Sequence, residues 1–388
     1  MALRALASIN LAAVQRNVVR LRAGLAAGAQ LCAVVKADAS GHGAVPVSRA
    51  ALAAGATSLA VATVGEAAQL RAASIDAPIL VMGAISAEEL PVALAARAEM
   101  VAWTPRFVAD LAATVGEAAP IRVHVKLDSG MGRLGTRGAG DALAVADDVL
   151  AHAPALVLAG AMTHFATADD DDAEFMAAQL SAFAPFAQRM RERAPGVVVH
   201  AANSAATVRD PATHFDMVRC GIALYGCDPM NVAPDATGLE AAMELSSYVA
   251  AVKLTRAGES AGYGRRFVAP HDCWIATLPI GYADGVRRGL SNNCDVLVAG
   301  RRVPLVGTVS MDNVTADLGP AGPADGADGG GPPPVDVGTP AILIGRSGAE
   351  RQTVEDLANR LGTVAHEVLC GIGPRVTRRY HHDGTPTP

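Results

Sequence analysis

Eight short apolar runs punctuate the chain between Cys32 and Ile222: Cys32–Val35, Ser58–Val61, Ile79–Met82, Met100–Ala102, Arg122–Val125, Leu158–Thr163, Val197–His200 and Phe215–Ile222. They are apolar at successive positions rather than alternate ones, which is the pattern of strands buried on both faces of a parallel sheet. Alanine-rich stretches of helical period lie between them. Eight such repeats predict an α/β fold with an N-terminal (β/α)8 TIM-like barrel; an open doubly wound sheet is the alternative. The placement of polar residues favours the barrel. Lys36, Lys126 with Asp128 and Arg133, His164, Asn203 with Ser204, and Arg219 all end or follow a strand candidate. Active sites of such barrels lie on that C-terminal rim.

From about Glu244 the pattern changes to short alternating segments with glycine turns, such as SSYVAAVKLTRA and CDVLVAGRRVPLVGTVSMDNVTADL. That alternation predicts a C-terminal, mainly antiparallel β domain over 244–388, after a barrel domain over 1–243. TVEDLANRLGTVAHEVLCGI reads as helical, with Thr353 as its N-cap. The run Gly319–Gly338, rich in Gly, Pro and Asp, cannot bury enough apolar area to order itself and predicts a mobile surface loop.

Composition narrows the class. A chain of 388 residues, 51% hydrophobic and 18% charged, has ample core for two domains. A formal charge of −6 and a pI near 5.9 argue against nucleic-acid binding. No apolar run approaches the ~20 residues of a membrane span. The N-terminal MALRALASINLAAVQRNVVRLRAG lacks the pattern of a secretion signal and reads as a strand followed by an amphipathic helix. Six scattered cysteines show no metal spacing, so no metal centre is expected. Free thiols and the absence of a leader suit a cytoplasmic enzyme.

Of 32 basic residues only Lys36, Lys126 and Lys253 are lysine. Arginine can carry surface charge but cannot serve as an amine nucleophile, so the lysines are informative. Lys36 ends the apolar run in LCAVVKADASGHG, and a lysine desolvated at a strand end has the lowered pKa that Schiff-base chemistry needs. An ordinary strand-end lysine is the alternative. Gly41–Gly43, Asn203-Ser204-Ala205 and Cys220–Ile222 are each turns able to point backbone N–H groups at an anion. Singly they are weak signals. A rim lysine together with a phosphate cradle suggests pyridoxal 5′-phosphate (PLP).

The segments AVVKADASGHG, KLDSGMGRLG, THFATAD, HAANSAA, MVRCGIALYG, AGYGRRF, PIGYADG, VGTVSMDNVTADL and HEVLCGIGPRVTRRY occur in this order from Lys36 to Tyr380. Each resembles a block of the bacterial alanine racemase family of PLP barrels. The resemblance implies a two-domain fold, a head-to-tail homodimer with shared active sites, and interconversion of L- and D-alanine. It implies that Lys36 binds PLP and exchanges a proton on one face of the substrate Cα, while Tyr263 of the partner subunit acts on the other. Two groups flanking a carbanion are what racemisation requires. By the same resemblance Arg219 faces the pyridine nitrogen, held by His164. Asn203, Ser204, Gly221 and Ile222 contact the phosphate region. Arg133 reaches the phenolic oxygen and the substrate carboxylate, and Lys126, carbamylated, holds Arg133. Met311 and Asp312 bind the substrate carboxylate, and Tyr282 lines the entrance.

Two positions depart from the family pattern. Ser40 stands where the family carries a tyrosine, four residues after the lysine, and His366 replaces the tyrosine before Glu367. In the family both lie near the phosphate and the substrate channel. A smaller and wetter lining there implies a broadened range, such as serine beside alanine. Asp38 for asparagine and Ser310 for cysteine carry no strong consequence. Rival readings on the same barrel are a PLP-dependent decarboxylase, an aldolase, and a non-catalytic PLP carrier. A decarboxylase needs an acidic partner for the pyridine nitrogen, where this chain has Arg219. An aldolase tends to need a metal or to lack Tyr263, and a carrier lacks the second domain altogether.

Overall fold

The strand candidates close on themselves. In the computed structural model, which describes residues 3–115, 119–232, 237–322 and 331–386, β1 (Leu6–Asn10) is followed by eight strands. These are β2 (Gln30–Val34), β3 (Ser58–Val61), β4 (Ile79–Val81), β5 (Glu99–Ala102), β6 (Ile121–Lys126), β7 (Leu156–Met162), β8 (Val198–His200) and β9 (Met217–Cys220). They pair in parallel and in sequence order, and β9 returns to β2 with Gln30 opposite Met217, making a closed barrel. The open doubly wound alternative is therefore excluded. Cys32, Val34, Ala60, Leu80, Val101, Met162 and Met217 pack together inside the barrel. Helices connect the strands. Pro105–Val115 buries Val108, Leu111 and Val115, a helical spacing that lays one apolar stripe inward. Val64–Ala72 starts with a capping box in which Thr63 and Glu66 satisfy each other's backbone N–H.

The chain divides into two compact units, one formed by Val14–Met230 and the other by Met1–Ala13 with Asn231–Pro388. This departs from a boundary at 243/244 at both ends of the barrel segment. The reason is β1, which joins the second sheet: it pairs antiparallel with β10 (Met243–Tyr248) and parallel with β20 (Thr377–His382). Between those two lie β11 (Ala251–Thr255), β12 (Ser260–Ala261), β13 (Phe267–Val268), β14 (Cys273–Leu278), β15 (Cys294–Val298), β16 (Arg301–Val306), β17 (Val314–Pro320), β18 (Pro340–Ser347) and β19 (Glu350–Gln352), and β21 (Thr385–Pro386) closes the list. The sheet runs β11-β14-β17-β16-β15-β18-β10-β1-β20-β21, with β19 on β18 and β12–β13 as a separate ribbon. Apart from β1–β20 its pairings are antiparallel.

Two local expectations change. The helical segment after Thr353 is two helices, Val354–Leu361 and Ala365–Cys370, because Gly362 takes a left-handed C-cap at φ 66°. Thr353 caps the first, accepting from the Asp356 N–H. Of the expected loop Gly319–Gly338, residues 323–330 lie outside the described residues. Its ends are structured: Gly319 and Pro320 finish β17, and the Gly338 N–H donates to the Val249 carbonyl at 2.8 Å.

The second unit is tied together by a buried carboxylate. The Asp284 side chain is 0% exposed; it accepts from Arg4, whose Nη1 lies 2.9 Å from Oδ2, and from the Gly281 N–H at 2.9 Å, and it forms an ion pair with Arg375 Nε at 3.2 Å. Removing one cation leaves a partly uncompensated buried charge. Arg4→Ala is expected to destabilise the protein by about 3 kcal/mol in urea unfolding. A loss below about 1 kcal/mol would mean the pair behaves like a surface bridge.

Candidate functional site

Lys36 follows the end of β2 and opens a turn of unusual backbone. Ala37, Asp38, Ala39 and Ser40 have φ between 50° and 55°, one turn of left-handed helix built without glycine. For L-residues this costs about 1–2 kcal/mol each, so the surroundings must hold it. The Ala37 N–H donates to Glu66 Oε1 at 2.6 Å, the Gly41 N–H to the Ala37 carbonyl at 3.0 Å, and the Gly43 N–H to the Asp38 carbonyl at 2.9 Å. Asp38 Oδ1 accepts from the Ala44 N–H at 2.7 Å, where the next helix begins. His42 stacks on buried Tyr225, with ring centroids 4.5 Å apart, and the Tyr225 hydroxyl donates to the Val34 carbonyl at 2.7 Å. The lysine is thereby presented on a turn held at several points, and it is exposed, not desolvated as a buried strand end would make it. Ser40 is buried in the same turn.

On β9, the strand paired with β2, stands Arg219, opposite Cys32 in the register and 3% exposed. Its Nη2 donates to the carbonyls of Thr163 and Ala201 at 2.9 and 3.0 Å and approaches His164 Nδ1 at 3.2 Å, and its Nη1 meets His200 Nδ1 at 2.9 Å. Burial lowers its pKa to about 10, which leaves it a cation at neutral pH. Among the described residues its Nε–H meets no acceptor. His164 is held well below its ordinary pKa, first by burial and then by the charges of Arg219, Lys126, Arg133 and Lys36.

Those four cations define the electrostatics of the rim. Lys126, at the end of β6, is 4% exposed. Its pKa falls to about 8, by burial and then by repulsion from Arg219 and Arg133, with Asp128 opposing and Lys36 adding a smaller push. Asp128 is committed to its own loop, accepting from the Gly130 and Gly132 N–H groups at 3.0–3.1 Å. Arg133 projects, exposed, from that loop.

After β8, Asn203 caps the helix Ser204–Arg209, its Oδ1 accepting from the Ala206 N–H at 3.0 Å. The Ser204 oxygen accepts from the Gly221 N–H at 2.9 Å and the Ala223 N–H at 3.4 Å. With both lone pairs used, its O–H is left to donate to an anion. Gly221 and Ile222 lead into the tight turn Ile222–Tyr225.

The remaining expected residues lie on the second unit. Tyr263 is 74% exposed on a turn between Gly262 and Gly264, and its carbonyl accepts from Thr308 Oγ1 at 2.7 Å. It borders an open concavity of about 410 Å³ with Thr308, Ser310 and Asn313. Tyr282, Met311 and Asp312 belong to two loops that grip each other. The Tyr282 N–H donates to the Ser310 carbonyl at 3.0 Å and the Ala283 N–H to that of Met311 at 3.1 Å. A side chain at Gly281 would press to 2.4 Å on both carbonyls. Asp312 pairs with Arg375 at 2.7 Å. His366 is exposed on the helix Ala365–Cys370. The expected residues thus fall in two sets, one on each unit. Thr163, His200 and Tyr225, which hold Arg219 and the lysine loop, were not among the expected site residues; their position within THFATAD, HAANSAA and MVRCGIALYG is the one signal the sequence offers for them.

Fold and rim together define a closed (β/α)8 barrel whose rim gathers an amine and several other cations. Comparison with known proteins gives the particular kind. Residues 9–229 match the family described as "Alanine racemase, N-terminal domain" and residues 242–380 match "Alanine racemase, C-terminal domain". The chain is 39% identical over 382 residues to the alanine racemase of Nostoc sp., covering 97% of this chain and 95% of that one. It is 40% identical over 375 residues to that of Geobacillus kaustophilus, covering 95% and 92%. The crystal structure of alanine racemase from D-cycloserine-producing Streptomyces lavendulae superposes with a TM-score of 0.90 at 35% identity, covering 98% of each chain. That of the Bacillus anthracis enzyme with bound L-Ala-P gives 0.89 at 34% identity, covering 100% and 97%. The chain belongs to the alanine racemase family and is an isomerase, and membership supports racemisation of alanine as its activity.

The depressed Lys126 pKa has a consequence for stability. The unfolded chain keeps this proton up to about pH 10.5, the unmodified folded protein only to about pH 8. Between the two, the unfolded state binds more protons and stability rises with pH. In apoprotein freed of carbon dioxide, Lys126→Met should raise stability at pH 7 by about 3 kcal/mol. The gain should fade as pH rises from 8 to 10.5. Urea unfolding at pH 7 and at pH 10 checks this, and an equal gain at both values would refute it.

Proposed function

We propose that the protein interconverts L- and D-alanine by two-base proton exchange at Cα, using pyridoxal 5′-phosphate on Lys36 and the partner's Tyr263. The observation that carries this reading is the excess of cation on the barrel rim: Arg219, Arg133 and Lys36 bear on buried Lys126 and all four on buried His164, with Asp128 the one carboxylate that opposes them at Lys126 among the described residues. A dianionic cofactor supplies the missing charge. The donors left over on Ser204 and Arg219 fit its phosphate and its ring nitrogen respectively. Bound there, the cofactor supplies an electron sink for the carbanion formed at the substrate Cα.

The chain's own residues do the rest. Lys36 takes or returns the proton on one face. The partner's Tyr263, exposed on its own subunit, does so on the other, so the active unit is a homodimer. Arg219 keeps its proton at neutral pH and weakens the sink, which shortens the carbanion's life and suppresses side reactions. His164 helps hold Arg219. Asn203, Gly221 and Ile222 shape the phosphate turn around Ser204. Arg133 holds the substrate carboxylate region, aided by the Met311 backbone and Asp312, with Tyr282 at the entrance. Lys126 carries a carbamate that pairs with Arg133 and turns one of four positive charges negative. In the carbamylated protein Lys126→Met then removes an anion among cations and lowers activity. The barrel and the β domain keep separate tasks, cofactor binding and completion of the partner's site. We place the enzyme in the cytoplasm, in keeping with cysteines that form no disulfide among the described residues.

Ser40 and His366, where the family has tyrosines, favour a second reading in which the substrate range extends to serine or another polar amino acid. Solvent-deuterium exchange at Cα across a panel of amino acids reads substrate and reaction together. Exchange with alanine is expected, with serine above one-hundredth of the alanine rate. Activity on alanine alone would dismiss the broader range, and carbon dioxide release would point to decarboxylation instead. Ser40→Tyr should tighten PLP retention in equilibrium dialysis.

Complementation tests the shared site. Lys36→Ala and Tyr263→Ala proteins, each inactive, should regain about a quarter of wild-type activity when mixed and allowed to exchange subunits, because half the dimers then carry one intact site. No recovery despite demonstrated exchange would place both residues in one subunit's site.

A further inference from the structure

A fully buried guanidinium needs a counter-charge, and the direct acceptors of Arg219 are neutral: two carbonyls and two imidazoles. Burial and the charge of Arg219 hold His200 well below its ordinary pKa, so it is neutral. The hydrogen bonds lead further. His200 Nε2 lies 2.8 Å from His124 Nδ1, and His124 Nε2 lies 2.7 Å from Glu99 Oε2. Glu99 is the first residue of β5, at the N-terminal end of the barrel, and Arg122 Nε holds its other oxygen at 2.7 Å. Burial raises the Glu99 pKa, but His124 and Arg122 outweigh it and leave it below the ordinary range. A carboxylate on the far side of the barrel is therefore connected to Arg219 through two imidazoles.

The path crosses a strand. His124 is on β6 and His200 on β8, with β7 between them. Their rings meet because the β7 residue opposite His124 is Gly160; a Cβ there would lie 1.9 Å from His124 Nδ1. Both histidines are buried, with ring centroids 5.0 Å apart and planes at 74°.

The direction of the chain follows from its end. Arg219 can only donate, so His200 Nδ1 must accept and the His200 proton sits on Nε2. That proton is given to His124 Nδ1, so the His124 proton sits on Nε2 and goes to Glu99. Each tautomer is set by the next group.

We infer that Glu99, His124 and His200 form a relay of positioning residues that fixes the orientation of Arg219 from the opposite end of the barrel. The groups facing it are Arg122 beside Glu99, and Cys32 and Lys126 beside Arg219 and His200. The relay touches neither substrate nor cofactor. Its role in racemisation rests on Arg219 acting in the proposed site, whereas its existence does not.

Nitrogen-15 NMR of histidine-labelled holoenzyme, with assignment by His124→Gln and His200→Gln, tests the relay directly. The expected result is an unprotonated Nδ1 and a protonated Nε2 on both residues. A proton on Nδ1 of either overturns the inference, whatever the activity. Glu99→Leu removes the terminal acceptor. It should disturb both tautomers and lower kcat for alanine about 10-fold with KM changed less than about twofold, while Glu99→Gln, which keeps an acceptor oxygen, recovers most of the rate. Unaltered tautomers and kcat in Glu99→Leu would also overturn it. If wild-type protein shows the expected tautomers but no racemisation, the functional reading fails and the relay stands.

Discussion

Crowding of positive charge at one mouth of the barrel is the constraint on which the site depends. Lys36, Arg133 and Arg219 stand close enough to act on Lys126, and all four act on His164. Two of them are buried, where water cannot screen them. Such an arrangement is costly in an isolated protein and becomes favourable only around anions. The rim is therefore best understood as half of an ion-binding equilibrium. The lowered pKa of Lys126 shows the strain in one group, and the route from Arg219 to Glu99 shows how the barrel relieves another.

A second cost is written into the backbone. Four consecutive L-residues in left-handed conformation after Lys36 are uphill by themselves. They persist because Glu66, Asp38 and the His42–Tyr225 stack hold the turn at several points. The return is a held backbone that presents the exposed Lys36 side chain from a fixed point on the rim. The second unit shows the same economy around Asp284, where one buried carboxylate locks the loops that carry Tyr282, Met311 and Asp312.

Much of this was legible in the chain. Every expected barrel strand overlaps an observed one, because strands apolar on both faces leave a strong signal and the polar residue after each marks the rim. What could not be read depended on contacts distant in sequence. LASIN looks like any short strand, and nothing local says that it pairs with residues more than 230 positions away. The lysine turn reads as an ordinary loop, since only Asp38 among Ala37, Asp38, Ala39 and Ser40 is a residue type that tolerates positive φ. His124 and Glu99 read as strand residues. Their link to Arg219 exists only once β6, β7 and β8 are side by side and Gly160 lies between two rings.

The account stands or falls on the amine at position 36, and a chain with three lysines makes it unusually easy to interrogate. Protein incubated with pyridoxal 5′-phosphate, reduced with borohydride and digested should carry the phosphopyridoxyl group on Lys36 in stoichiometric amount, with Lys126 and Lys253 unlabelled. Label on either of those two residues, or none on Lys36, would contradict it.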